Sequence, residues 1–241
     1  LETKFAHYFS ASAISAKNVE EEKNKIKKLV ADISHQTKTP IANLLLYCEL
    51  LQEEDLPESA RSNVEALYGQ TEKLRFLIDS LVKLSRLENG IISLSVKLQK
   101  LQPMLGYVVN QYSFKAEQKG LYLRLEQTDA AANFDAKWTA EALGNIVDNA
   151  IKYTVHGGID ITVKIYEMFV RIDVTDSGIG IFEAEQAQIF SRFYRSEQVR
   201  EQNGVGIGLY LAREIISHEG GYIKVISEPG KGSTFSIFLS I

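Results

Sequence analysis

The amino-acid sequence predicts a two-part molecule: a helical-hairpin domain that forms a dimeric four-helix bundle, followed by an α+β sandwich domain. Three observations predict it. Up to Gly90 the apolar residues recur at helical spacing, with one break at Glu54-Asp55-Leu56-Pro57-Glu58. Beyond Gly90, period-two runs alternate with helical ones. Within that second part, glycine, asparagine and acidic residues gather in four short segments beyond what turns require.

Length and composition agree with this division. The 241 residues suffice for one large domain or two small ones, and 45% hydrophobic and 24% charged residues are ordinary for a globular protein with a buried core. A net charge of -4 without a basic block gives nucleic acid no electrostatic handle. The one cysteine, Cys48, has no intrachain partner for a disulfide, which fits a reducing compartment. No apolar run reaches the roughly eighteen residues of a membrane helix, so no membrane contact is expected within these residues. The chain starts at Leu1 rather than at methionine, and Phe5-Ala6-His7-Tyr8-Phe9 reads as the tail of something longer.

Residues 1–18, rich in serine and alanine, read as a linker or a weak helix, and 19–89 as the hairpin domain. From Asn18 acids precede bases, as in Glu21 with Lys25, which suits the helix dipole and i,i+4 pairing. The helix continues to about Glu53 on Leu29, Ile33, Ile41, Leu44, Leu45, Cys48 and Leu51. Pro40 falls inside it, and the missing N–H and the ring clash with Gln36 O loosen the turn that holds His35. His35 lies off the centre of the apolar stripe, either as a surface residue or as an exposed imidazole able to accept a phosphoryl group. Pro57 suits the first turn of a second helix, in which Leu67, Leu74 and Leu81 repeat at seven and Asn89-Gly90 mark the stop. Two helices cannot cover so long a seam alone, and a symmetric dimer solves this.

Residues 90–241 form the second domain. Its expected strands are Ile92–Leu98, Leu121–Leu125, Ile159–Tyr166, Phe169–Val174, Tyr222–Ser227 and Ser233–Leu239. Its expected helices are Pro103–Lys119, Asp135–Tyr153 and about Asn203–Ser217, all on one face of the sheet.

Asn145, Asn149 and Lys152 share one helix face with Asp148 close by. Asparagine is a poor helix former, so two on one face point to a use for their oxygens, and a hard cation such as Mg2+ takes such oxygens while keeping phosphates and water. Lys152 can neutralise a phosphate. Asp176, followed by Gly178 and Gly180, ends a strand where a carboxylate can accept from an exocyclic amine, or the segment is an ordinary turn. Gly204, Gly206 and Gly208, with Leu209 behind them, open a helix whose amides can face an anion. Gly230-Lys231-Gly232-Ser233-Thr234 reads as a hairpin turn. Arg192 or Arg195 can reach phosphates, while Phe190 and Phe193 read as lid anchors or as core packing.

In this order the segments resemble a sensor histidine kinase of the two-component type, over residue 20 to the end. SHQTKTP (34–40) is similar to the family's phosphoacceptor box, NIVDNAIKYT (145–154) to its N box and DSGIGI (176–181) to its G1 box. IFSRFYR (189–195) is similar to the F box, GVGIGLYLAR (204–213) to the G2 box and GKGSTFSIFL (230–239) to the last glycine box. The resemblance implies a homodimer and an ATP-binding domain of the type shared with gyrase. It implies that His35 takes the γ-phosphoryl group of ATP and passes it to an aspartate of a response-regulator receiver domain. It also implies Mg2+ on Asn149 with Asn145 beside it, phosphates on Lys152, adenine against Tyr153 and Asp176, and a lid shaped by Gly204, Gly206 and Gly208. Gly178, Gly180, Arg192, Arg195, Leu209 and Thr234 complete the nucleotide set. The family places such cores on the cytoplasmic side of a membrane-anchored bacterial sensor.

One departure stands out. An acid usually follows the phosphoacceptor, and here it is Gln36. An amide can hold the tautomer of a neutral His35 but cannot act as a base, so water or another group must take the proton. Thr39, four residues after His35, matches the position linked to dephosphorylating the regulator, or simply precedes Pro40. Gln36 leaves open a catalytically weak dimeric scaffold with a nucleotide-controlled switch. A further alternative is an ATPase or serine kinase of the same superfamily.

Overall fold

A computed structural model describes residues 2–199 and 204–241, with side chains described from Asn24 onward. The chain divides into two compact units, Leu1–Ser93 and Leu94–Ile241.

The first unit is a helical hairpin of α1 (Glu2–Glu53) and α2 (Glu58–Glu88), which pack on each other. α1 begins at Glu2, so the stretch read as a linker or weak helix is helical there, and the helix runs unbroken through Pro40. Pro57, at φ -55° and ψ 147°, is the extended residue before α2. At the other end Asn89 Nδ2 donates to Ser85 O at 2.7 Å, and Gly90 takes φ 57°.

The apolar residues of this unit divide into two stripes. Ile41, Leu45, Cys48, Val64, Leu84 and Leu87 are buried. Leu67, Leu74 and Leu81, the seven-residue repeat, are 59%, 43% and 37% exposed, and Ile33, Leu44 and Leu51 are exposed on α1. Leucines exposed at a seven-residue spacing form an apolar stripe along α2.

The second unit is a five-stranded sheet with helices on one face. Its strands are β2 (Tyr122–Leu125), β4 (Gly158–Ile165), β5 (Phe169–Asp176), β6 (Tyr222–Glu228) and β7 (Gly232–Ser240), in the order β2-β4-β5-β7-β6. β2 lies parallel to β4 and every other pairing is antiparallel. α3 (Gln102–Gln118), α4 (Ala136–Tyr153) and α6 (Gly208–His218) cover it, with α4 in contact with both of the others. Alternating residues of the strands, Val170, Ile172, Val174, Phe235, Ile237 and Leu239, meet Ile146, Val147, Ile151, Leu211 and Ile215 from the helices, all buried. Each such burial contributes about 1.5–3 kcal/mol, which fixes the period-two faces of the strands against the helices.

A two-stranded ribbon, β1 (Lys97–Lys100) with β3 (Ala131–Phe134), accompanies the sheet. The strand expected over Ile92–Leu98 therefore begins only at Lys97. Ser95 N is instead taken by Asp135 Oδ2 at 2.7 Å, so that stretch spends its donor on a side chain. The alanine-rich β3 carried no alternation signal. α6 starts at Gly208 rather than near Asn203, which lies outside the described residues. Gly206, at φ 75°, is not helical. A short α5 (Glu183–Gln186) and 3-10 turns at Gln188–Phe190 and Glu197–Val199 fill the connection after β5.

Candidate active site

In the hairpin unit, His35, Gln36 and Thr39 are all exposed on one turn of α1. Thr39 Oγ1 donates to His35 O at 3.5 Å, and Lys38 pairs with Asp79 of α2 at 3.2 Å, which ties this turn to the second helix. The imidazole is thus presented to solvent on a turn whose backbone bond Pro40 cannot supply.

In the second unit, the segments that stood out in the sequence converge on the C-terminal half of α4. Asp135 caps that helix by accepting from Lys137 N and Trp138 N, at 3.0 and 3.2 Å. Asn145 Nδ2 donates to Glu141 O at 2.9 Å, and a Cβ on Gly208 would stand 2.9 Å from Asn145 Oδ1. The first residue of α6 therefore abuts the N-terminal asparagine of the pair, with Leu209 half-buried behind it. Asn149, one turn on, is half-buried, and Asp148 is ion-paired with Lys115 of α3.

Lys152 Nζ donates to Tyr153 Oη at 2.9 Å and lies 4.6 Å from the centre of that ring. A Cβ on Gly204 would come within 2.6 Å of the same ammonium, which places the loop against it, and a φ of 155° favours glycine there. Burial, with Arg195 as the second cause, pulls the Lys152 pKa down to about 8, against a raising contribution from Asp148. Two cations close enough to perturb one another and partly out of water have the charge to receive an anion.

Asp176, at the end of β5, is 7% exposed. Its Oδ1 accepts from Gly178 N at 2.8 Å and Ser233 N at 3.3 Å. Burial raises its pKa, and those two hydrogen bonds partly offset the rise. Ile179 N donates to Tyr153 O at 3.2 Å, so the turn through Gly178 and Gly180 is fastened to the last turn of α4. Gly206 holds the aromatic segment: its carbonyl accepts from Phe193 N at 2.9 Å, and a Cβ there would lie 2.6 Å from Tyr194 O.

The structure sorts the other expected residues. Thr234 pairs in register with Thr175, and their hydroxyls meet at 3.1 Å, whereas Asp176 pairs with Ser233. Thr234 therefore faces the opposite side of the sheet from Asp176, and Ser233, its neighbour, reaches the site. Arg195 lies close enough to Lys152 to perturb it, while Arg192 donates to Tyr210 Oη at 3.0 Å. Phe190 is buried edge-on to Phe235, at 6.3 Å between centroids, and is core. Phe193 is 55% exposed at φ 61°, a strained backbone for an aromatic, and so is not core. Residues 200–203 of the polar stretch lie outside the described residues.

Lys115, Lys119 and Glu219 carried no motif signal. Glu219, 6% exposed at the C-terminus of α6, accepts from Thr139 Oγ1 at 2.8 Å and Asp135 N at 3.2 Å, and burial pushes its pKa up to about 7. It clamps the end of α6 to the start of α4. No group of three or more His, Cys, Asp or Glu side chains forms a metal cluster among the described residues. A cation at this site would thus draw on amide oxygens and on its phosphates, which fits Mg2+ rather than an all-protein cage.

The structure thus joins in one chain an exposed imidazole on a helical hairpin and a sandwich with an acid-and-glycine site, an arrangement that fits a phosphoacceptor module followed by an ATPase-type module. Comparison with known proteins identifies the two modules. Residues 25–90 match the His Kinase A (phospho-acceptor) domain, and residues 134–241 match the histidine kinase-, DNA gyrase B- and HSP90-like ATPase family. The chain belongs to the two-component sensor histidine kinases, and its second unit is their ATP-binding domain. It is 28% identical to the sensor histidine kinase MtrB of Mycobacterium leprae over 229 residues, covering 92% of this chain and 41% of that protein. It is 30% identical to the sensor-like histidine kinase SenX3 of Mycobacterium bovis over 221 residues, covering 88% and 53%. The chain thus spans about half or less of these relatives. Full-length ShkA, solved with AMPPNP, superposes with a TM-score of 0.71 at 26% identity, covering 89% of this chain and 46% of that one. No helix among the described residues is long and apolar enough to cross a membrane.

Proposed function

We propose that this chain is the kinase core of a sensor that phosphorylates its own His35 from ATP and passes the phosphoryl group to a receiver-domain aspartate. The observation that carries the nucleotide half is the convergence on the end of α4 of Lys152, against whose ammonium Gly204 lies, and the Asp176 turn, which the last carbonyl of that helix anchors. Asp176 accepts the adenine amine, Tyr153 lines the base, and Lys152 with Arg195 receives the phosphates. Asn149 would hold Mg2+ through its amide oxygen, and the cation would supply neutralisation of phosphate charge. Gly204 and Gly206 let the lid close, and Phe193 rides on it.

At the acceptor, the unprotonated ring nitrogen of neutral His35 attacks the γ-phosphorus. The bond to the bridging oxygen breaks and ADP leaves. The imidazolium so formed gives up its other proton to water, because Gln36 has no basic group. The carboxylate of the receiver then attacks that phosphorus, the N–P bond breaks, and the ring regains a proton from water, which restores neutral His35. Thr39, exposed on the same turn, acts in the hydrolysis of the phosphorylated regulator. The leucine heptad Leu67, Leu74 and Leu81 pairs two hairpins into the dimer. The full-length protein is anchored in a membrane, with this part on the cytoplasmic side.

The nucleotide half is tested by pH. Only the ammonium form of Lys152 neutralises phosphate, and its pKa lies at about 8 before a nucleotide arrives. Affinity for ATP should be level near neutrality and fall by up to about tenfold per pH unit above about pH 8, as the free protein loses that proton. Calorimetric titration of wild type and Lys152→Arg checks this. The fall should vanish in the arginine variant, which stays charged. Wild-type affinity that is level up to about pH 9.5 would contradict the role of Lys152.

A further inference from the structure

The last three carbonyls of α4 have no helical partner, and its last turn forms the negative end of the helix dipole. It also carries Lys152 and Tyr153, so what those carbonyls bond to decides where both side chains leave the helix. Ala150 O accepts from Thr154 N at 3.1 Å, and Tyr153 O accepts from Ile179 N at 3.2 Å. The rest converge on one side chain from another element. Lys119 Nζ, at the end of α3, donates to Ile151 O at 2.8 Å, Lys152 O at 2.9 Å and Thr154 O at 3.2 Å.

We propose that Lys119 is a positioning residue for the nucleotide site, holding the C-terminus of α4 so that Lys152 and Tyr153 meet the ligand. The ammonium has three donors at one point, and all three are used. A guanidinium keeps the charge but spreads its donors in a plane and cannot converge on three carbonyls at that point. Lys119 also places a positive charge against the negative end of α4, which would otherwise repel phosphates arriving at Lys152.

The rest of the α3–α4 contact supports this. Tyr112 packs under Gly144, where a Cβ would lie 3.0 Å from its hydroxyl, and Lys115 pairs with Asp148. Residues 112, 115 and 119 form one stripe of α3 and fix α4 at successive turns, with Lys119 at the ligand end.

The inference rests on the nucleotide site proposed above, and a double-mutant cycle on the whole chain separates the two. Binding of a nonhydrolysable ATP analogue with Mg2+ is measured for wild type, Lys119→Met, Lys152→Met and the double variant. Lys119→Met should weaken binding about tenfold, as for a lost set of charged hydrogen bonds. It should weaken binding far less when Lys152 is already replaced, because its effect passes through that turn. Lys119→Arg should recover only part of the loss. Lys152→Met binding like wild type would overturn the nucleotide-site reading. Lys152→Met weakened but Lys119→Met unchanged, losses that simply multiply in the double variant, or full recovery by arginine would each overturn the positioning role alone. Should Lys119→Met fail to fold, Lys119→Gln, which retains an amide donor, runs the same cycle with the same expected coupling.

Discussion

Asp176→Asn should lose ATP binding by about a hundredfold or more while leaving the fold intact, as for a site built to receive a specific polar group. The asparagine keeps an acceptor for Gly178 N and Ser233 N, which both bond to Oδ1 of the aspartate. The other carboxylate oxygen becomes an NH2, so an acceptor for the adenine amine becomes a donor that opposes it. Asp176→Ala would confuse two effects, because it also strands two buried N–H groups at about 1–3 kcal/mol each. The wild type should show the same chemistry in acid. Burial raises the Asp176 pKa, so protonation begins at a higher pH than for an ordinary aspartate, and nucleotide binding is lost as pH falls through that raised value. Calorimetry together with thermal unfolding checks both. Asp176→Asn binding within about threefold of wild type would remove Asp176 from the base pocket.

Asn149→Ala should separate binding from chemistry. Its amide oxygen is the proposed protein ligand of Mg2+, and the described residues hold no carboxylate cluster to replace it. ATP affinity without metal should be close to wild type, the gain on adding Mg2+ should disappear, and phosphoryl transfer should slow by about a hundredfold or more. The measurements are nucleotide titrations with and without Mg2+ and the initial rate of autophosphorylation. A full metal-dependent gain in Asn149→Ala would place the cation on other atoms.

Long periodic elements were legible in the sequence because each is specified locally. α2 runs from Glu58 to Glu88 between Pro57 and Asn89-Gly90, and β4 and β5 follow the alternation of Ile159–Tyr166 and Phe169–Val174. β1 was misplaced because alternation over Ile92–Leu98 describes extended chain, and whether a partner strand lies beside it is set elsewhere. The asparagines, Lys152 and the glycines were legible because they sit oddly in helices or turns. Thr234 and Ser233 were confused because neighbours on a strand face opposite ways, and register with Asp176 is not written locally. Lys119 and Glu219 look like ordinary surface charges at helix ends. Only tertiary structure shows one filled by three carbonyls and the other buried on Thr139.

The exposed stripe of Leu67, Leu74 and Leu81 and the exposed His35 follow from one fact about the hairpin. Two helices bury a single seam and leave a second apolar face exposed, the face proposed to pair with another copy.

The most direct test of the central claim is incubation of the chain with γ-labelled ATP and Mg2+, with wild type and His35→Ala in parallel. The label should be acid-labile and base-stable in the wild type and absent from His35→Ala, which should still bind ATP because residue 35 lies in the other compact unit. A wild type that binds ATP yet takes up no label, or label that survives acid or persists in His35→Ala, would contradict the assignment of His35 as the phosphoacceptor.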